Sequence, residues 1–388
     1  MRKSHMALLL LAVLVAGFFA LVPTYLDKNM NRVDPLDSSL AVGEEAAALH
    51  ARLTVIDLHA DPLLWRRDLL VDNDYGQVDL PRLEAGNVAV QVFAAATKSP
   101  VGLNYDSNPS DSDMMTGLMI ANLQPPATWT SLFERARYQA RKLAELEQRA
   151  PQRLQVVRTA ADLEALMSSR SREGRPVGAI MALEGAHALE GKPENLQRLF
   201  DDGYRVLGLA HFFDNEISGS MHGEDKYGLT ELGRQVVAQA EEMGMIIDLA
   251  HASPAAMAEV LATTSRPVIV SHGGVQATCE VNRNLDDEQI KAVAANNGLI
   301  GIGYWDGAVC DTSPQGIVAA MTHVRDLVGA SYIALGSDFD GSVATRFDTS
   351  QLAVITQALL DANFSEEEIA AIMGGNALRL LYQLLPRS

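Results

Sequence analysis

The sequence predicts an α/β fold, a (β/α)8 TIM barrel, from two observations. Eight short apolar runs recur along a chain of 388 residues, with helical patterns between them. Such runs are typical of strands buried on both faces of a parallel sheet, and eight strand-then-helix units are the number that closes this barrel. Histidine or an acidic residue ends most of the runs. A doubly wound open sheet is the alternative, but no G-x-G-x-x-G follows the first strand, so a dinucleotide-binding fold has no support.

The N-terminal segment is predicted to export the rest of the chain. Arg2 and Lys3 precede an uninterrupted apolar run over residues 6–23. This pattern fits a signal peptide or a membrane anchor. The run lacks a small-residue cleavage site and is long enough to cross a bilayer as a helix, which favours an uncleaved anchor; no cysteine follows that could carry a lipid. In a Gram-negative source the expected location is the periplasm, anchored in the inner membrane.

Residues 24–42 read as a polar linker that contains Pro35, and residues 43–388 as the barrel domain. The predicted strands cover residues 53–59, 88–96, 177–183, 205–211, 245–251, 267–272, 299–304 and 332–337. Helices are predicted over residues 44–52, 230–243 and 286–295, and a capping box of Ser365 with Glu368 predicts another near the end. Residues 98–130 are polar and are interpreted as a loop over the barrel mouth, with a helix near residues 114–123.

Composition limits the classes of partner. The formal net charge is −18, from 49 acidic and 31 basic residues, which argues against nucleic acid because phosphate binding needs a basic face. The chain contains two cysteines, Cys279 and Cys310, which are too few for a zinc knuckle. A disulfide could form in an oxidising compartment, but we expect two free thiols. The sequence does not determine the oligomeric state, and a homodimer stays open.

Histidines and acidic residues mark the ends of the predicted strands. The first strand closes with His59, and Asp61 stands two positions on, so both side chains can face one ion. The third to sixth and the eighth strands end with, or are directly followed by, Glu184, His211, His251, His272 and Asp338. In a parallel barrel these ends share one rim, where active sites are built. Imidazole nitrogens and carboxylate oxygens suit Zn²⁺, and the set exceeds what one tetrahedral ion uses, so two metals sharing a carboxylate are predicted.

A single histidine in a strand is more often a satisfied core residue than a ligand. That interpretation does not account for so many of them at one end of a barrel. Among the other histidines, we expect His187 to support Glu184, His222 to approach the substrate and His323 to be structural. His5 and His50 precede the barrel and receive no role.

Several ordered motifs resemble the membrane (renal-type) dipeptidase family and its bacterial branch of zinc dipeptidases. They extend from residue 57 to residue 341: Asp-Leu-His-Ala-Asp at 57–61, Leu-Glu-Gly at 183–185, Leu-Ala-His at 209–211, Ile-Asp-Leu-Ala-His at 247–251, Val-Ser-His at 270–272, Asn-Arg-Asn at 282–284 and Gly-Ser-Asp-Phe-Asp-Gly at 336–341. Each motif alone is weak, and together they are specific. Residues 273–280 depart from the mammalian members and are closer to bacterial ones, so the substrate preference stays open.

The resemblance implies a role for each matching residue. His59 and Asp61 would bind the first zinc, His251 and His272 the second, and Glu184 both, giving two Zn²⁺ per chain. Asp338 would handle the proton of a water between the ions. His211 would face the substrate and stabilise the oxyanion. Arg283 would bind the C-terminal carboxylate of a dipeptide.

The implied reaction is hydrolysis of dipeptides, D-configured C-terminal residues included, by a metal-bridging hydroxide without a covalent intermediate. The chain lacks the G-x-S-x-G elbow of many serine hydrolases. One alternative is another metal-dependent amidohydrolase or deacylase of the same barrel type, although many of those carry His-x-His on the first strand where this chain has His-x-Asp. The others are a maturation enzyme acting on a peptide-derived precursor and a catalytically inactive binding protein. Retention of every polar group that the chemistry needs argues against the last.

Overall fold

A computed structural model of the protein describes residues 2–34, 41–170 and 175–387. It contains a closed barrel of eight parallel strands surrounded by helices, which confirms the predicted fold. The strands of the described residues are β1 Val55–Ala60, β2 Val88–Ala96, β3 Leu154–Val156, β4 Val177–Glu184, β5 Tyr204–Gly208, β6 Ile246–Asp248, β7 Ile269–Gly273, β8 Leu299–Ile302 and β9 Ile333–Leu335. The barrel runs β1-β2-β4-β5-β6-β7-β8-β9 and closes from β9 onto β1.

The helices surround this barrel and also precede it. The α-helices of the described residues are α1 Arg2–Met30, α2 Glu44–His50, α3 Leu80–Ala85, α4 Met115–Ala121, α5 Ala127–Thr130, α6 Leu132–Arg149, α7 Ala160–Arg170, α8 Glu194–Asp201, α9 Glu231–Glu242, α10 Pro254–Thr263, α11 Asp287–Ala295, α12 Asp306–Val309, α13 Pro314–Val328, α14 Ala353–Asp361, α15 Glu366–Ala370 and α16 Asn376–Leu384. Short 3-10 turns lie at Pro62–Leu64, Ala186–Leu189, Ala330–Tyr332 and Thr349–Gln351, and one π-helical turn lies at Ala371–Gly375.

The continuous apolar runs form strands because both of their faces are covered. Every residue of β1, β2 and β4 is buried. Alternate side chains of these strands, such as Ile56, Val90 and Ile180, belong to one apolar cluster with residues of α7 and α16. Burial on both faces removes the polar alternation that a half-exposed strand would show.

The predicted helix starts are confirmed by their caps. The Thr230 side chain accepts a hydrogen bond from the Gly233 amide ahead of α9. Asp286 and Ser365 each form a complete capping box, at the starts of α11 and α15. Two short helices, α4 and α5, lie within the long polar stretch 98–130.

Three details differ from the sequence-based expectations. β3 was not predicted, because its three residues pair with β4 outside the closed ring and are too few to form a pattern. Strands β5 and β6 end at Gly208 and Asp248, so His211 and His251 follow their strands instead of ending them. Helix α1 continues to Met30, and residues 35–40 of the predicted linker lie outside the described residues.

The expectation of two free thiols is wrong. Cys279 and Cys310 form a disulfide, and their Cα atoms are 5.3 Å apart. Cys279 lies in the loop after β7, and Cys310 follows the helix after β8. Because β7 and β8 are neighbours in the barrel, the two loops come within the reach of a disulfide. A sequence separation of 31 residues gives no sign of that proximity.

Candidate metal centre

All seven of the predicted metal-binding and catalytic side chains meet at the carboxyl end of the barrel. His59, Glu184 and His272 lie in β1, β4 and β7, while the other four lie in the connections directly after their strands: Asp61, His211, His251 and Asp338. His251 and Asp338 have left-handed backbone conformations, with φ of 61° and 60°. This conformation is strained for residues other than glycine, and such strain concentrates at functional sites.

Glu184 is the centre of the cluster. Its Oε1 atom lies 3.4 Å from His59 Nε2, 3.3 Å from His251 Nε2 and 3.5 Å from His272 Nε2. Its Oε2 atom lies 3.6 Å from His211 Nε2. Four imidazoles from four strands or strand ends therefore surround one buried carboxylate, on two sides of it.

His59 connects Glu184 to two further carboxylates. Its Nε2 atom lies 3.2 Å from Asp61 Oδ2 and 3.9 Å from Asp338 Oδ1. Three overlapping groups have donor atoms within 4.8 Å of one another: His59–Glu184–His272, Glu184–His211–His251 and His59–Asp61–Asp338. The donor atoms are thus spread over a space wider than one coordination sphere.

The donor set fits metal cations. His59 Nε2 and Asp61 Oδ1 are buried and have no hydrogen-bond partner. The Nε2 atoms of His251 and His272 face each other at 3.0 Å, an arrangement that satisfies both nitrogens only if a proton or a cation lies between or beside them. Buried nitrogen and oxygen donors without partners are what a Zn²⁺ site requires, and buried charges persist when they are paired or bound to metal.

Burial and neighbouring charges shift the pKa values of the clustered side chains in different directions. Burial alone would raise the pKa of Glu184, but His211 and His59 outweigh it and hold that pKa well below its usual range. Burial lowers the pKa of His251 and His272 well below the ordinary value, so both imidazoles are neutral, as ligands must be. Burial also opposes a charge on His59, yet the carboxylates of Glu184 and Asp61 raise its pKa.

Asp338 differs from Glu184. Burial raises the pKa of the Asp338 carboxyl well above its usual range, and the charges of Asp61 and Glu184 add to the rise. A bound cation would lower this pKa by its own charge. The Asp338 carboxyl lines the cavity beside the donor cluster, a position that suits a group exchanging protons with a bound water.

Residues behind the donors hold them in place. The Ser271 hydroxyl lies 3.2 Å from His59 Nδ1 and 2.9 Å from His272 Nδ1, so one side chain orients two rings. Asp57 accepts hydrogen bonds from the amide and the hydroxyl of Ser337, which fixes the turn before Asp338. Partners of this kind set ligand orientation. Neither Ser271 nor Asp57 was predicted to have a role, although Ser271 directly precedes the predicted ligand His272 and Asp57 stands two positions before the predicted ligand His59.

Arg283 lies beside the cluster with its guanidinium largely unpaired. The side chain is buried (1% exposed), and Nη2 donates to the backbone oxygen of His272 at 2.7 Å. The guanidinium lies 5.5 Å from the Trp305 ring, and its Nε has no hydrogen-bond partner. In the described part of the chain no carboxylate lies within ion-pair distance of it, while the nearby Asp287 pairs with His323. Burial lowers its pKa from an ordinary value that is far above neutral, so it remains a cation in need of an anion.

The remaining histidines lie outside the cluster of donors. His187 is buried beside Thr97, with its Nε2 atom 2.9 Å from the hydroxyl. His222 stacks on Phe212 and contacts the Tyr105 backbone oxygen, but it does not line the cavity. His50 is held by Thr356 and the Gly86 backbone.

A cavity of about 530 Å³ opens above the cluster. Its polar floor contains Asp61, Glu184, His211, His251, His272, Arg283 and Asp338. Its apolar part includes Leu26, Met30, Leu64, Met115, Leu118, Phe212 and Trp305. A volume of this size accommodates a small organic ligand.

Known proteins resemble this chain in sequence and in fold. The family model described as "Membrane dipeptidase (Peptidase family M19)" matches residues 43–385. "Dipeptidase aclJ" of Aspergillus oryzae is 26% identical over 98% of this chain and 89% of its own. Two solved structures share the fold. The probable dipeptidase PvdM of Pseudomonas aeruginosa is 18% identical, with a TM-score of 0.72 over 89% of this chain and 98% of its own. A metallo peptidase of Rhodobacter sphaeroides, liganded with a phosphinate mimic of the dipeptide L-Ala-D-Ala, is 23% identical. Its TM-score is 0.69 over 86% of this chain and 99% of its own.

Proposed function

Because the chain belongs to the membrane dipeptidase family, a family of metal-dependent peptidases, we propose that it hydrolyses dipeptides at two zinc ions held at the barrel mouth. The observation that carries this proposal is the convergence of buried, partly unpartnered donors around Glu184. His59 and Asp61 are proposed to bind one ion, His251 and His272 the other, and Glu184 both. When bound, the two ions would polarise the scissile carbonyl and lower the pKa of a water molecule between them.

The chain's own side chains are proposed to handle the protons and charges of the reaction. Asp338 accepts a proton from the attacking water as the new carbon–oxygen bond forms. It returns a proton to the departing amine as the carbon–nitrogen bond breaks. His211, whose Nε2 faces the cavity beside Glu184, stabilises the negative charge that develops on the carbonyl oxygen.

Arg283 is proposed to select dipeptides by their length. Its guanidinium is buried and lacks a carboxylate partner, so a substrate carboxylate can fill that place with two parallel hydrogen bonds. Because Arg283 contacts the backbone of the proposed ligand His272, the clamp is proposed to lie one residue beyond the scissile carbonyl. A longer peptide would leave the guanidinium without its anion.

The site is proposed to work outside the cytoplasm, next to a membrane. Within the described residues, His5–Met30 is the helix that is long and apolar enough to cross a membrane, and its apolar side chains are mostly exposed. The disulfide between Cys279 and Cys310 is typical of oxidising compartments. Both features agree with an exported, anchored enzyme.

The proposal is tested on the full chain purified in detergent. Elemental analysis measures the metals per chain, and mass spectrometry follows a panel of L-L and L-D dipeptides. The L-D arm is included because the Rhodobacter sphaeroides relative was solved with an L-Ala-D-Ala mimic. We expect two zinc ions per chain and release of both amino acids. Protein that holds its metals but leaves every dipeptide intact would overturn the proposed substrate class.

A further inference from the structure

We infer that the last two turns of α1 form a wall of the substrate cavity and that this wall selects dipeptides with a large apolar N-terminal residue. The inference rests on the proposed function for the direction in which the dipeptide lies. We define the apolar wall as Leu26, Met30, Leu64, Met115 and Leu118, which line the cavity and pack together. Two of its five members come from α1.

The end of α1 is fixed to the barrel by a buried polar network. Asp27 is buried and accepts hydrogen bonds from Arg67 Nη1 at 2.6 Å and from Asn31 Nδ2 at 2.8 Å. Arg67 also pairs with Asp340, two positions after the proposed base Asp338. Removing one partner from a buried pair of this kind is strongly destabilising, because the other charge is left uncompensated. The helix end is therefore an integral part of the fold.

The chain after α1 is attached to the same loop. The Asp34 amide donates to the Thr345 backbone oxygen at 2.8 Å, and the Thr345 amide donates to the Arg32 oxygen at 3.0 Å. The Asn31 side chain accepts a hydrogen bond from the Ser342 amide at 3.0 Å. All of these contacts are made by residues 27–34, which follow the apolar run at residues 6–23. The family model begins at residue 43, so the docked segment lies outside the part of the chain that it matches.

The position of the wall relative to Arg283 identifies the part of the substrate that it contacts. Leu64 follows β1, and α4 with Met115 and Leu118 follows β2. Arg283 follows β7, which is four strands from β2 in either direction around the barrel. With the C-terminal carboxylate on Arg283 and the scissile carbonyl above Glu184, the N-terminal side chain points to the opposite side. It therefore meets the apolar wall.

The size and chemistry of the cavity agree with a bulky side chain. A volume of about 530 Å³ belongs to the range that takes ligands larger than two small amino acids. Leu26 and Met30 are half-buried, so each keeps apolar surface that a substrate can cover. Covering that surface favours apolar over small or charged N-terminal residues.

The test compares phenylalanyl-alanine, glycyl-alanine and glutamyl-alanine, which differ only in the N-terminal side chain. We expect the full-length protein in detergent to prefer the phenylalanyl substrate over the glycyl one by about tenfold or more in kcat/KM. Met30→Ala combined with Leu26→Ala should reduce this preference about fivefold. Tyr25→Ala is the matched control, because Tyr25 stands next to Leu26 but is 65% exposed. The substrate preference of this control variant should equal that of the wild type.

A second variant excludes misfolding as the cause of any loss. Met30→Lys should raise kcat/KM for glutamyl-alanine about tenfold, and a gain of activity requires a folded site. The proposed role of the wall would be overturned if the double variant kept the wild-type preference, or if its kcat/KM fell equally for all three substrates. Binding of the three dipeptides to Asp338→Asn protein, measured by calorimetry, separates this failure from failure of the proposed function. If the variant binds phenylalanyl-alanine preferentially but the wild type hydrolyses none of the dipeptides, the proposed dipeptidase function is rejected and the role of the wall stands. If the wild type hydrolyses the dipeptides without a preference, the role of the wall is rejected and the proposed function stands.

Discussion

The floor and the wall of the cavity are built in opposite ways. The floor consists of charged and polar side chains at the ends of barrel strands, and residues such as Ser271 and Asp57 hold it from behind. The wall consists of apolar side chains from α1, α4 and the turn after β1, all outside the barrel. From this difference we propose that the strand ends of the barrel carry out the chemistry and that the apolar elements outside it select the substrate.

The largest expected effect comes from the floor. Asp338→Asn should lower kcat about a thousandfold for every dipeptide, because it removes the proposed proton acceptor. Metal content should stay near that of the wild type, since Asp338 is not among the five proposed ligands. Elemental analysis alongside steady-state kinetics checks both statements. Loss of the metals together with activity would reassign Asp338 to the ligand set, and wild-type turnover would remove its role altogether.

The sequence predicts the floor better than the wall, for a physical reason. The proposed ligands in the floor lie at strand ends, and a parallel barrel brings the carboxyl ends of its strands to one rim, so the local patterns around His59, Glu184 and His272 suffice. The wall depends on the docking of α1, which involves Asp27 and Arg67, 40 positions apart. The sequence around Asp27 does not predict a contact with Arg67, and the sequence around Arg67 does not predict one with Asp27. The disulfide was missed for the same reason, because only the adjacency of β7 and β8 brings its cysteines together.

The second-largest effect is expected at Arg283, which lines the cavity next to the donor cluster. Arg283→Ala should lower kcat/KM for dipeptides about a hundredfold, because the substrate carboxylate loses a charge-assisted bidentate partner. Arg283→Lys keeps the charge and should recover part of that loss. A dipeptide amide serves as the matched substrate, and its already low kcat/KM should change little in either variant. Equal losses for acid and amide would show that Arg283 supports the site without binding the carboxylate.

A smaller effect, on preference instead of rate, is expected when the wall is detached. Asp27→Ala leaves Arg67 with one carboxylate fewer in a buried site. It should lower the midpoint of thermal unfolding by a few degrees and weaken the preference for apolar N-terminal residues. Lys28→Ala provides the control, because the adjacent pair of Lys28 with Asp74 is exposed and contributes little. If both variants keep the wild-type preference, the wall does not depend on the docking of α1.

The smallest effect on catalysis is expected from the disulfide. Replacing Cys279 and Cys310 by serine should lower the free energy of unfolding by about 2–4 kcal/mol, the typical value for a bridge that closes a loop of this length. Metal content should not change, because no proposed ligand lies in the bridged segment between the two cysteines. KM should rise modestly, since Arg283 lies in that segment. Denaturant titration measures the free energy of unfolding, and steady-state kinetics of the same preparation measure KM. A loss of metal would contradict the expectation that the disulfide does not affect the metal site.

Titration of metal-free protein with zinc, followed by hydrolysis of a dipeptide, tests the central claim most directly. The donors around Glu184 are proposed to bind two ions that act together, so activity should rise to a plateau at two equivalents of zinc per chain. Activity at one equivalent should stay well below half of that plateau if both ions are needed and they bind with similar affinity. A plateau at one equivalent, or hydrolysis that is independent of added metal, would contradict the account of a two-metal dipeptidase.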